Sequence, residues 1–140
     1  MHKPLTTLLL IWLALFMIPS WAEEEEGEAP QAPKVLYYKI TEPFTINFLK
    51  QSKQEVRYLQ IKVTLMASEQ TVLDSADKNL PMIQDSLRML FSEQSMESVG
   101  SVEGRRALQQ STLDAINTVL KKETGTAGVK AAYFTSFILQ

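Results

Sequence analysis

The sequence predicts an α+β domain: a small mixed or antiparallel sheet with two helices packed on one face, in the order β-β-β-α-α-β. Three observations carry this. Residues Tyr58 to Ala67 alternate strictly, Leu59, Ile61, Val63, Leu65 and Ala67 against Tyr58, Gln60, Lys62, Thr64 and Met66, which is the period of a strand with one buried face. After Ser68 the apolar spacing changes to three and four, the period of a helix face. After Gly128 the chain becomes β-prone again. A sheet covered by amphipathic helices gives each of these elements somewhere to bury its apolar side.

Taken in order, Val35-Leu36-Tyr37-Tyr38 is a short β-prone run that stops at Thr41-Glu42-Pro43. Phe44, Ile46 and Phe48 then alternate with Thr45 and Asn47, and the polar stretch Lys50 to Glu55 connects this run to the long strand, predicting an antiparallel pair. Leu73, Ala76, Leu80, Ile83, Leu87 and Leu90 form one helix face over residues 70–93. Pro81 falls inside it; its missing N–H and its ring predict a kink or a restart there. Glu97 to Ser101 breaks the pattern, with Gly100 as its flexible point. Ser92, Ser95, Ser98 and Ser101 recur at three through this segment and read as loop composition.

Ser101 is placed to cap a second helix, with Glu103 in its first turn and Lys121 and Lys122 in its last. Its face reads Leu108, Thr112, Ala115 or Ile116, and Val119, flanked by Leu113 and Leu120, and Gly125 and Gly128 end it. The final segment, Val129 to Gln140, is apolar on both alternating faces between Ala131 and Leu139, as a strand covered on both sides would be. Tyr37, Tyr38, Tyr58, Tyr133 and Phe134 read as residues packing across strands.

The N-terminus assigns a compartment. A basic start at Lys3, an apolar run from Leu5 to Ile18, and Ser20 and Ala22 before Glu23 have the order of an export signal over residues 1–22. The alternative is a retained membrane anchor: Leu5 to Ile18 would make a helix of roughly 21 Å, short of the ~30 Å hydrocarbon core. Either way Lys3 before the run and Glu23 to Glu26 after it put the remainder outside the cytoplasm. Residues 23–34, rich in Glu with Pro30 and Pro33, form an acidic linker with nothing to bury, and residues 35–140 make the folded domain.

Composition excludes several kinds of chemistry. There is no cysteine, so disulfides and thiol catalysis are ruled out, and the single histidine, His2, lies in the export segment. Asp74, Asp77 and Asp85 read as helix-surface charges rather than a metal or catalytic set. We therefore expect no enzyme, no metal and no cofactor. The net charge of −2, with no basic stripe, argues against nucleic acid. Function is then expected from surfaces: the Arg105-Arg106 pair, outside the apolar helix face and dispensable for the core, and Phe134 and Ile138 on the second side of the last strand.

Particular stretches resemble a known family. Tyr37-Tyr38-Lys39-Ile40-Thr41-Glu42-Pro43-Phe44-Thr45-Ile46-Asn47-Phe48 and Arg57 to Leu65 resemble the opening of FliL, the flagellar basal-body-associated protein. Asn79-Leu80-Pro81-Met82-Ile83-Gln84-Asp85, Gly104-Arg105-Arg106-Ala107-Leu108, Ile116 to Leu120 and Val129 to Gln140 are similar to its later segments, in order. The resemblance implies a stomatin/prohibitin-type (SPFH-like) fold on the periplasmic side of the inner membrane. It also implies flagellar stator and basal-body proteins as partners, self-association into a ring, and support of torque and motility. A periplasmic scaffold serving another envelope complex is the alternative. Typical members carry a longer cytoplasmic head and a clear spanning helix, which this N-terminus lacks.

Overall fold

A computed structural model describes residues 32–48 and 57–140. The export segment, most of the acidic linker and the polar connection at Lys50 to Glu55 lie outside them. The described chain runs β1 (Leu36–Lys39), β2 (Phe44–Asn47), β3 (Tyr58–Ala67), α1 (Gln70–Lys78), α2 (Leu80–Ser92), α3 (Met96–Gly100), α4 (Val102–Thr124) and β4 (Ala131–Leu139). Among the described residues, no helix is long and apolar enough to cross a membrane.

Among the described residues every strand pairing is antiparallel and involves β3. Leu65 is matched by both Tyr38 and Ala132, and Ile61 by both Phe44 and Phe137. Therefore β4 takes one edge of β3, while β1 and β2 lie end to end along the other. They are in effect one edge strand broken at Thr41-Glu42-Pro43, where Pro43 has no N–H to contribute; Ile40 still donates its N–H to the Val63 carbonyl at 3.0 Å. The expected β2–β3 pair is present. Its position end to end with β1 is a non-local feature that no local pattern encodes.

Helical coverage is finer than the two helices expected. The segment over residues 70–93 restarts at Asn79, as Pro81 requires. Asn79 (φ −105°, ψ 17°) leaves the helical region and caps α2, placing Pro81 in the first turn, where its missing N–H costs nothing. Residues 96–100 form a helical turn rather than a loop, which corrects both the break and the reading of the serines. Ser95 Oγ accepts from Ser98 N at 3.0 Å while Ser98 Oγ accepts from Ser95 N at 3.2 Å; Ser101 Oγ accepts from Gly104 N at 3.0 Å. Two successive helix starts six residues apart, capped by Ser95 and Ser101, with Ser98 as the reciprocal partner between them, account for the three-residue spacing of Ser95, Ser98 and Ser101.

In α4 the inward face resolves to Leu108, Thr112, Ile116 and Leu120. Thr112 is fully buried, and its hydroxyl donates to the Leu108 carbonyl at 2.7 Å. Gly125 (φ 79°) ends the helix in the left-handed region that glycine adopts at no steric cost, donating its N–H to Lys121 O. Leu59, Ile61, Val63 and Leu65 of β3 meet Leu73, Ile83, Leu87 and Phe91 of α1 and α2 and the α4 face in one core.

The two-faced apolarity of the last strand has a different cause from the one expected. A β-bulge opens β4 between Phe134, opposite Val63, and Ser136, opposite Lys62, with Thr135 as the extra residue. The bulge shifts the side-chain phase by one. Ala132 and Phe134 before it and Phe137 and Leu139 after it thus all face the helices, leaving Tyr133 and Ile138 on the open face. The Thr135 hydroxyl donates to the Lys62 carbonyl at 3.4 Å, where the ladder is interrupted. Among the described residues, helices cover one face only.

Candidate interaction surface

The sheet rows set by β3 place an aromatic cluster under the start of α4. Phe44 and Phe137 flank Ile61 on opposite edges. Phe91 of α2 lies edge-on to Phe44 (5.2 Å between centroids, 84°) and to Phe134 (6.1 Å, 80°), and Phe134 lies 5.8 Å from Phe137. Edge-to-face pairs set the positive rim of one ring against the negative face of the next. Phe134 thus packs against the core, so its proposal as a free contact residue is corrected by the phase shift at Thr135. Ile138 stands 39% exposed on the opposite face.

Arg105 closes this cluster from outside. Its Cζ is 4.7 Å from the Phe137 ring centroid, and its Nε donates to the Val99 carbonyl at the end of α3 at 2.9 Å. The guanidinium therefore ties α3, α4 and β4 together while its edge remains at the surface. Arg105 lies outside the core cluster but makes contacts to α3 and β4 that its place in the sequence does not reveal. Arg106 is exposed beside a shallow groove of about 290 Å³ that also takes in Gln109, Leu113, Lys130 and Ala132. The sequence pair is split by the structure: one arginine is a tie, the other a surface charge.

Two residues of α4 hold the start of β4, and sequence reasoning passed over both. Asn117 Nδ2 donates to the Val129 carbonyl at 2.9 Å, and its Oδ1 accepts from Gly128 N and Val129 N at 3.3 and 3.1 Å. Gln109 Nε2 donates to the Ala132 carbonyl at 2.8 Å. They are eight positions apart, two turns along one helix face, a spacing that could have marked them as a polar seam beside the apolar one. Gly128 is needed at this turn, because a Cβ there would come within 2.7 Å of Val72 Cγ2.

On the open face Tyr37, Met66 and Tyr133 form a partly exposed patch, with the Tyr133 hydroxyl 3.5 Å from Met66 Sδ. At the helix-covered side of β1, Tyr38 Oη donates to Asp77 Oδ1 at 2.6 Å. Burial first, and then the bonded and negative Asp77 carboxylate, push the phenol from 10.0 up to about 12. A second hollow, about 350 Å³, lies among Ser68, Glu69, Ser75, Gly128 and Lys130. Within it the exposed Thr71 hydroxyl donates to the Glu69 carboxylate at 3.5 Å. Among the described residues no group of three or more Asp or Glu is placed to hold a metal. The arrangement offers contact surface: Arg105 beside a strand edge that no described strand covers, Arg106 at its groove, and an open sheet face.

Residues 37–140 match the sequence model of a family described as flagellar basal body-associated protein FliL. The chain is also 32% identical over 116 residues to the flagellar protein FliL of Aquifex aeolicus (strain VF5), a match covering 79% of this chain and 68% of that relative. The matched region takes in almost all of the sheet and every described helix.

Proposed function

Because the chain belongs to the FliL family of flagellar basal body-associated proteins, we propose that it is a non-enzymatic accessory subunit of the flagellar motor. On this reading it lies on the periplasmic side of the inner membrane, exported by or anchored through residues 1–22. It contacts the stator units and basal body, associates with copies of itself, and supports torque and thereby swimming, swarming and chemotaxis. The SPFH-like character of its sheet-and-helix layer belongs to the same proposal. The observation that supports the reading most is the extent of the family match, which spans the domain from β1 to β4 rather than one motif.

The surface chemistry is consistent with this role. On this reading the binding side chains are Arg105, Arg106, Ile138 and those of the open sheet face. The test is to follow a fluorescent fusion of the full chain in cells and to co-purify it with stator proteins. Foci at flagellated sites and recovery with the stator are expected. Uniform envelope fluorescence and recovery with an unrelated envelope complex would instead support the scaffold alternative. Mass analysis of the exported chain distinguishes cleavage after Ala22 from retention.

A further inference from the structure

The outer edge of β4 is protected along only half its length. Gln109 and Asn117 occupy the backbone groups of Val129 and Ala132 at its start. Beyond the bulge, no described strand or helix backbone pairs with it. Gln140 and Tyr58 exchange both backbone bonds, at 2.7 and 3.0 Å, so by alternation Leu139 and Phe137 turn their N–H and C=O groups outward. The segment beyond the bulge, Ser136-Phe137-Ile138-Leu139, has no charge, proline or glycine. Monomeric proteins interrupt such an edge with charges, prolines or covering elements, because it templates the addition of another strand.

We propose that this half-edge is a docking strand for a second copy of this chain, joined head to tail through the second copy's broken β1–β2 edge. The inference rests on the self-association in the functional reading above and names its surface. Three features of the fold choose the occupant. Among the described residues the β1–β2 edge is the other unpaired edge of the same sheet, so pairing it with β4 continues the sheet from copy to copy. Both are antiparallel to β3, so they run parallel to each other and join without inversion. The breaks also match in height: Glu42 is exposed within the break between the Val63 and Ile61 rows, and Arg105 sits over Phe137 on the Ile61 row. A level junction thus brings the second copy's Glu42 toward Arg105. A two-fold pairing of β4 with β4 would instead bring the Arg105 guanidinium of each copy toward that of the other.

Sedimentation velocity of the full chain in mild detergent across a wide concentration range tests this, with circular dichroism and thermal melting confirming the fold of each variant. Leu139→Pro removes an outward N–H while leaving the β3 ladder intact, and Glu42→Arg places like charges at the junction. Both are expected to weaken association about tenfold or more, and E42R/R105E to recover much of the loss. Should R105E fail to fold, L139P and E42R decide the matter alone. Parent-like association of folded L139P and E42R overturns the edge assignment while leaving self-association standing, as does a species that stops at two copies and ignores Glu42. A parent chain that stays monomeric overturns both.

Discussion

Asn117 gives the most direct test of how the helices hold the sheet. One side chain makes three bonds to the turn before β4: it donates to Val129 O at 2.9 Å and accepts from Gly128 N and Val129 N at 3.3 and 3.1 Å. A hydrogen bond of this kind contributes about 1 kcal/mol net, and more when its loss strands a partly buried partner. Asn117→Ala removes all three and is expected to cost about 3 kcal/mol. Asn117→Asp keeps both acceptor bonds and loses the donor, so its cost should fall between Ala and the parent, raised somewhat by the carboxylate facing Val129 O. A domain of this size is stabilised by about 5–15 kcal/mol, so the Ala variant remains folded but measurably weaker. Urea unfolding supplies the free energies, and amide exchange at Gly128 and Val129 reports where the loosening occurs. An Ala variant within about 0.5 kcal/mol of the parent, or Ala and Asp variants of equal stability, would refute the reasoning.

Phe91→Ala empties the centre of the Phe44–Phe134 cluster and is expected to cost about 3–5 kcal/mol in the same assay; a cost under about 1 kcal/mol would show that the edge-to-face packing is incidental. Gly104→Ala should destabilise the α3–α4 junction, since its Cβ would fall 1.8 Å from the Ser98 carbonyl oxygen; an unchanged thermal midpoint would contradict that contact. Tyr38, raised from 10.0 to about 12, stays protonated when folded at pH values where the unfolded chain loses the proton. Its contribution is therefore complete below pH 10 and is lost as pH rises toward about 12. Tyr38→Phe should flatten that limb of the stability–pH curve, and an identical limb in both proteins would show that the phenol does not titrate as described.

The parts of the fold that were legible in the sequence are those set by local period. The alternation from Tyr58 to Ala67 is so regular that β3 is read residue for residue, and Pro81 announces the restart that Asn79 carries out. The four-residue spacing of Leu108, Thr112, Ile116 and Leu120 becomes clear only once β4 shows which side of α4 faces inward. What escaped was non-local or too short. The α3 turn rests on a reciprocal serine pair rather than the usual serine and glutamate. The bulge at Thr135 leaves no local mark except apolar residues on both alternations, which were read as two covered faces. That single inserted residue carried Phe134 from the candidate surface into the core-facing layer. Arg105 and Arg106 look equivalent in sequence, and only the approach of α3 and Phe137 separates them.

The claim that this chain supports the flagellar motor through its surfaces is tested most directly by measuring torque in cells. A strain lacking the gene, with stator number held constant, should generate less torque per motor under load and recover it when the full chain is restored. The E42R variant, shown to fold in vitro, should restore less than the parent. Parent-like torque in the deletion strain across the range of loads would contradict the account.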